Sequence, residues 1–488
     1  VSSAAVHEPT RAPKFTKGST LRHVVVMTVT GSVGLMAIFV VDLLNLFYIS
    51  RLGQQELAAA IGYAGTFLFF TTSVCIGITI AGTALVSRAI GARRREESRR
   101  LATSSLVFMT VASGLLAVAT LPALGPILSS FGATGRTHEV AWRFLVIVTP
   151  STPILGIGMA TSGLLRAAGD AKRSMYVTLV GGIVAAVFDP ILIFGFGLGV
   201  DGAAIVSVLS RVALAWVGLH GSIKVHDQLA PPSLREAMRD AGPLAAIAVP
   251  AVLANIATPI GNAFVTAAIA RFGDSAIAGY AVIGRILPLA FGAVFAMSGS
   301  IGPILGQNFG ARQFDRVRRS VDESFLLTFA YCLVMWGLLA LVEGPIAGLF
   351  SVRGEGAELI RFYCYYVAGT FGFIGAVFVG NAVFNNLGFP TLSTVFNWSR
   401  ATLGTIPFVW IGAVYFGADG VIAGQGLGGV VFGILAIFAC YRVLGRLAER
   451  REAGIKEIPL VAQAISPFNS PKAATAIDWV DAEEEAAE

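Results

Sequence analysis

The sequence predicts an all-α, polytopic membrane protein of twelve transmembrane helices, built as two parallel six-helix lobes with a cavity between them. Three observations lead there. The 488 residues are 55% hydrophobic and only 13% charged, with a mean hydropathy of +0.75, whereas a soluble globular chain carries about 25% charged residues. Apolar stretches of about 20 residues or more, enough to cross a ~30 Å hydrocarbon core as helices, recur along the chain. The chain also repeats itself roughly 220 residues apart, the signature of a duplicated lobe.

The repeat is legible at three places. VVDLLNLFYISRLGQQELAAA, around Asp42, corresponds to IGNAFVTAAIARFGDSAIAGY, so that Asn262 falls opposite Asp42. RAIGARRREE, from Arg88, corresponds to QNFGARQFDR, from Gln307. GFGLGVDGAAIV, ending at Val206, corresponds to VYFGADGVIAGQ, ending at Gln425.

In order, the first half gives spans at about 22–49, 57–82, 101–124, 140–163, 175–198 and 202–222. The second gives about 243–270, 277–302, 322–343, 361–385, 393–416 and 420–443. The domain reading is a tail 1–21, an N-lobe 22–222, a linker 223–242, a C-lobe 243–443 and a tail 444–488. The linker has a Pro-Pro break, then Ser233 as the N-cap of a short amphipathic helix. Prolines within spans, such as Pro150, Pro153, Pro190, Pro250, Pro259, Pro288, Pro303, Pro390 and Pro407, serve mostly packing, with a few as hinges. An even number of spans per half makes the repeats parallel, related by an axis along the membrane normal.

Charge sets the orientation. Arg88, Arg93, Arg94, Arg95, Arg99 and Arg100 follow span 2, and Arg312, Arg316, Arg318 and Arg319 follow span 8. Arg166, Lys172 and Arg173 follow span 4, and the stretch after span 12 is basic again; the alternate loops are poor in cations. Both termini are therefore expected in the cytoplasm of a cell inner (plasma) membrane protein. The pI near 9.2 reflects these loops and not nucleic-acid binding. Cys75, Cys332, Cys364 and Cys440 have no metal-ligand spacing and read as small core residues. No cleavable signal peptide is expected, and the acidic end reads as a solvated tail.

Asp42, Asp189, Arg211, Arg285 and Arg400 fall well inside spans, where each costs at least about 2.5 kcal/mol on insertion scales and needs a reason. Asn45 shares a helix face with Asp42. Asp189 precedes Pro190, whose missing amide loosens the helix. Ser207 offers a hydroxyl in span 6, with Arg211 one turn further. The bland alternatives are a snorkelling Asp42 and an Asp189–Arg211 structural ion pair. Against them, the repeat positions carry no acid: Asn262 in one case, Ile406 or Pro407 in the other. The two carboxylates with Asn45, Ser207 and Arg211 are the candidate coupling site, for Na⁺ or for protons. For Arg285 and Arg400 interfacial or structural roles are the first reading.

These same residues carry a resemblance. VVDLLNLFYISRLGQQELAAAIG, the two GAR loops, GLLRAAGDAKRSMY and FDPILIFGFGLGVDGAAIVSVLSR resemble the multidrug and toxic compound extrusion (MATE) family, nearer its DinF-like branch, over about residues 20–445. The resemblance implies a V-shaped antiporter, not an enzyme, that exports lipophilic or cationic compounds against inward H⁺ or Na⁺, with no cofactor besides the coupling ion. It places Asp42 and Asp189 at the N-lobe cation site and Ser207 at a hydroxyl position. Two departures stand out. Ala185 replaces an Asn that the family often has one turn before the span-5 Asp, and span 7 has Asn255 and Asn262 but no acid. Both favour protons over Na⁺. Met36, Phe39, Asn255, Asn262 and Arg285 are the candidate lining of an apolar substrate cavity. Small lipophilic or cationic substrates, the bilayer and a monomeric state are expected. The alternative is a flippase for a lipid-linked precursor, which would use several cavity cations such as Arg211, Arg285 and Arg400. A membrane enzyme lacks a catalytic set: the five histidines lie outside or at the ends of spans.

Overall fold

The computed structural model describes residues 13–50, 55–349 and 354–452; the side chains of Asp42 and Asn45 lie outside the described residues, although their backbone is helical. All regular structure among the described residues is helical. The helices are α1 (Thr20–Ser50), α2 (Gln55–Gly91), α3 (Arg95–Thr120), α4 (Leu124–Ser130), α5 (Gly135–Val148), α6 (Thr152–Ala167), α7 (Ala171–Pro190) and α8 (Gly199–His220). The second half follows with α9 (Leu234–Ile269), α10 (Asp274–Ala290), α11 (Gly292–Gly310), α12 (Phe314–Leu349), α13 (Glu355–Phe362), α14 (Phe371–Leu387), α15 (Pro390–Ala401) and α16 (Ile406–Glu452).

Several spans are broken, each for a local reason. Pro150 and Pro153 remove amides between α5 and α6, and a 3₁₀ turn at Thr149–Ser151 joins them into the fourth span. Pro190 ends α7 in a π turn, Ile191–Gly195. Beyond Pro288, α10 and α11 bend by 46° and together make the eighth span. A π turn and a 3₁₀ turn link α13 to α14 as the tenth.

The apparently continuous α16 is two helices. Gly417 has φ 62 and ψ −144, a conformation open to glycine. On either side of it the backbones pair antiparallel: Gly412 with Gly420, Phe408 with Gly424, Gly404 with Gly428. A Cβ on Gly412, Gly420, Gly424 or Gly428 would meet the facing main chain, and one on Gly404 the Phe432 ring, so the hairpin depends on their having none. Span 11 is thus α15 with the start of α16, and span 12 the remainder, which completes twelve.

One sequence expectation changes. Ser233 does accept from the Glu236 amide, but the helix it caps is no separate linker helix: α9 runs unbroken through Pro243 into the seventh span. Its first turns are largely exposed but end on a buried anchor. Asp240, 3% exposed, accepts from Arg100 at 2.6 Å and from Ser104 at 2.7 Å, both on α3. Docking against α3 outweighs the breaking tendency of a single proline.

The two halves pack about a pseudo-twofold axis. At one end α2 crosses α11 so closely that a Cβ on Gly91 would strike the Gln307 carbonyl and one on Gly310 the Arg88 carbonyl. Gly91 and Gly310 are repeat mates, as are Arg88 and Gln307. Arg93 and Arg312, the arginines of the two GAR sequences, share the left-handed backbone at φ 59 and 58. The α1–α11 and α2–α9 faces continue the seam between the lobes, as far as Met36 against Gly292 and Gly77 against Val252. Further from the GAR end, the α9 and α10 positions Asn262 and Arg285 are exposed, in keeping with a V-shaped cavity that opens away from the Arg-rich loops.

Candidate functional site

α7 lies between α1 and α8 in the N-lobe, and small residues set its register. A Cβ on Gly34 would meet Thr178, and one on Gly182 would lie 3.3 Å from Val41 Cγ2, so α1 and α7 run parallel. One further turn along puts the backbone of Asp42–Asn45 level with the last turn of α7, which ends in Asp189-Pro190. α8 runs antiparallel to α7, with Ser210 and Leu214 against Gly181 and Gly202 against Leu192. That register brings Ser207 level with the stretch just before Asp189. The side chain of Asp189 is buried, 1% exposed. Ala185, one turn earlier, is buried too and offers no side-chain oxygen. The Ser207 hydroxyl donates to the Ala203 carbonyl of its own helix at 2.9 Å, which leaves its oxygen lone pairs as acceptors.

Arg211 is engaged elsewhere. Its Nη1 donates to the Val148 carbonyl at 2.9 Å and to Ser151 Oγ at 2.8 Å. The reason lies in the fourth span. In a regular helix the Thr152 amide would serve Val148; in the 3₁₀ turn it serves Thr149. The buried Val148 carbonyl is served instead by the Ser151 hydroxyl at 2.6 Å, and Arg211 adds a second donor. Arg211 therefore braces the bend of span 4 against α8. Arg400, also buried, donates to Thr258 Oγ1 at 3.0 Å and ties α15 to α9.

The family model described as MatE matches the chain twice, over residues 32–191 and again over 250–411. The chain belongs to the MatE family. Members are transporters and not enzymes, and the twofold match coincides with the duplication. Relatives of this MATE transporter include a FAD transporter of Shewanella oneidensis, 28% identical over 87% of this chain and 94% of its own length. The multidrug export protein MepA of Staphylococcus aureus is 25% identical, covering 80% of this chain and 86% of its own. Among solved structures, a mutant of the Vibrio cholerae MATE transporter VcmN superposes with a TM-score of 0.83 at 24% identity, over 88% of this chain and 97% of that one. A MOP superfamily transporter from Pyrococcus furiosus, whose description speaks of a binding pocket of reverse polarity, gives a TM-score of 0.85 at 20% identity, over 91% and 100%.

The C-lobe of the transporter shows what the repeat places at the positions of Asp42 and Ser207 when no acid is present. Gln425 Nε2 donates to Asn262 Oδ1 at 3.3 Å, and Gln425 also hydrogen-bonds the Tyr280 hydroxyl. Asn262 is the repeat mate of Asp42. Aligned on the positive-φ glycines Gly199 and Gly417, Gln425 is the mate of Ser207, and Asp189 falls opposite Pro407. The amide pair in the C-lobe thus occupies the positions of an acid and a hydroxyl in the N-lobe. Asn255 is half-buried and donates to its own helix at Ala251, away from this set. Met36 packs on Gly292 at the bend of span 8, and Phe39 is half-buried one turn on. Tyr280 and Gln425 were absent from the sequence-based candidates. The signal for Gln425 was present in the repeat, but a one-residue shift at the DG sequences put it opposite Val206 and hid the match.

Proposed function

We propose that this MATE transporter exports lipophilic or cationic organic compounds in exchange for inward protons, with Asp42 and Asp189 of the N-lobe as the coupling site. The observation that carries this reading is the burial of Asp189 at the broken end of α7, level with the α1 backbone that bears Asp42. An ionised carboxylate withdrawn from water requires a proton, a cation or several donors. A proton needs one carboxylate oxygen. A dehydrated Na⁺ needs a full oxygen shell, and Ala185 withholds one ligand. The Asn262–Gln425 contact supports pairing Asp42 with Ser207, since each is the mate of one partner. Export follows if the site takes up a proton when open to the outside and releases it when open to the cytoplasm, because a ligand shifts only an equilibrium whose states it binds unequally. On this reading the protein sits in the plasma membrane as a monomer, with its Arg-rich end and both termini cytoplasmic, which the alternation of cation-rich and cation-poor loops supports.

A second reading is export of an anionic aromatic compound of flavin type. It is favoured by the FAD-transporting relative and by the exposed Arg285 on α10. The flippase alternative loses support, because two of its three cations, Arg211 and Arg400, are buried and engaged by Val148, Ser151 and Thr258.

Proteoliposomes under a pH gradient alone or a Na⁺ gradient alone, loaded with ethidium or with FAD, separate these readings. Ethidium movement driven by the pH gradient supports the main one. FAD movement without ethidium movement supports the second. Transport driven by Na⁺ alone overturns proton coupling.

A further inference from the structure

We propose that the turn Lys14–Thr16, just before α1, is a latch that holds the two lobes together at the Arg-rich end and must leave its seat on one lobe before that end opens. The inference rests on the reading of the protein as a two-lobed transporter whose lobes part at this end, and on neither the ion nor the substrate.

Phe15 is one of the most deeply buried large side chains, 1% exposed, although it lies outside the spans near the start of the described chain. Its surroundings come from both lobes. From the C-lobe, Gln307 Oε1 accepts the Phe15 amide at 2.9 Å. The Phe15 carbonyl accepts from Asn308 Nδ2 at 3.2 Å and from Arg316 Nη2 at 2.9 Å, and Arg316 Nη1 reaches the Gly18 carbonyl at 2.9 Å. From the N-lobe, the Gly169 carbonyl accepts from Lys14 Nζ at 2.8 Å. Gly169 has φ +82, and a Cβ on it would lie 2.8 Å from Lys14 Cδ and 3.3 Å from Phe15 Cζ, so the loop between α6 and α7 is shaped to receive this turn. Gln307 completes the bridge: while its oxygen holds Phe15, its Nε2 donates to the Ala167 carbonyl of the N-lobe at 2.7 Å.

The two grips are unequal. The C-lobe holds the main chain of the turn by three hydrogen bonds, with Gln307 accepting and Asn308 and Arg316 donating, and by a fourth from Arg316 to Gly18 just beyond it, the N-lobe by one bond from Lys14 and the edge of a ring. Separation of the lobes would therefore leave the turn on α11 and α12 and free it from Gly169. The turn leads directly into α1, which carries Asp42. A change of occupancy that moves α1 pulls on the latch, which links the coupling site to the seam at the opposite end of the same helix.

The test uses double electron–electron resonance on full-length protein in nanodiscs, with spin labels at Lys172→Cys in the N-lobe and Asp315→Cys in the C-lobe, both exposed positions. The four native cysteines are buried, which limits background labelling. Lys14→Ala cuts the N-lobe bond at an exposed residue and should leave folding intact; Phe15→Ala removes the ring, and Phe15→Leu restores bulk. Loss of one hydrogen-bonded contact made in only one of two states should raise the long-distance fraction about tenfold relative to the short one in Lys14→Ala and Phe15→Ala, and much less in Phe15→Leu. Wild-type distance distributions in both alanine variants would overturn the latch, as would altered dye efflux with unchanged distances. A wild type with a single distance at every pH and Na⁺ concentration would overturn the opening of this end, and the latch with it.

Discussion

Arg88 and Gln307 occupy the same position in the two repeats and make the same bond across the seam. Arg88 Nε donates to the Asn386 carbonyl at 2.8 Å, and Gln307 Nε2 donates to the Ala167 carbonyl at 2.7 Å. Asn386 and Ala167 are themselves repeat mates, the last residues but one or two before the left-handed glycines Gly388 and Gly169. The duplication has kept the architecture of the contact and changed its chemistry. Arg88 adds a bond from Nη2 to the Asn385 carbonyl at 3.3 Å and lies over the Phe309 ring at 5.5 Å, while Gln307 holds Phe15.

The Arg88→Ala variant should leave buried carbonyls at Asn385 and Asn386 without these donors, at a cost of about 1–3 kcal/mol. Arg88→Gln, which copies the mate, should retain part of the bond. Thermal melting in detergent should rank wild type above Arg88→Gln and both above Arg88→Ala. Equal melting temperatures for all three would show that the seam does not depend on this guanidinium.

Replacement of either N-lobe acid should uncouple transport without unfolding the protein. Asp42→Asn copies its repeat mate Asn262, and Asp189→Asn keeps the shape of the side chain. With the coupling ion no longer bound unequally by the two states, pH-driven ethidium efflux should fall by about tenfold or more, at normal expression. Asn262→Ala should leave the coupling intact. Wild-type efflux by Asp189→Asn would remove this residue from the coupling path.

Arg211 and Asp189 should part company under mutation. Arg211→Ala removes one of two side-chain donors to the Val148 carbonyl at the span-4 bend, with the Ser151 hydroxyl still in place, so it should lower stability by about 1 kcal/mol, with any surviving protein still responsive to the pH gradient. Arg211→Met of normal stability but without gradient response would instead place the guanidinium in the coupling chemistry.

Asp170 supports a pH prediction outside the membrane. Burial works against its ionisation, but hydrogen bonds from His226 at 2.8 Å and from Arg173 hold the carboxyl well below the ordinary carboxylate range. It also caps α7 by accepting from the Arg173 amide. A group whose pKa is depressed on folding stabilises above its unfolded value and loses that contribution as pH falls through the folded one. The melting difference between wild type and Asp170→Ala should therefore stay present from neutral pH down to the ordinary value near 3.8 and shrink only below it. A difference already gone at mildly acidic pH would contradict this.

The orientation is checked by labelling single cysteines at Glu96 and Thr134, both exposed and at opposite ends of the molecule; Ser98 is buried and unsuited to this. In intact cells an impermeant maleimide should reach Thr134→Cys and spare Glu96→Cys. The reverse pattern would invert the protein in the membrane.

The sequence by itself determined the class, the number of spans and the duplication. Backbone groups in hydrocarbon must be satisfied within each helix, so hydropathy and length suffice to find the spans. Alignment of the halves was enough to single out Asp42 and Asp189 as acids without mates. It also held the Arg88–Gln307 equivalence, although nothing in a linear string says that these residues bond across a seam. Tertiary structure alone decided where Arg211 directs its guanidinium, because that depends on a carbonyl freed by a 3₁₀ turn three helices earlier in the chain. It decided that Ser233 begins the seventh span and not a separate helix, since docking of Asp240 against α3 carries α9 through Pro243. It decided as well that a turn in an apparently featureless basic tail closes the seam. Phe15 is one aromatic among thirty-three phenylalanines, and only the pairing of its amide and carbonyl with residues from far along the chain gives it a place.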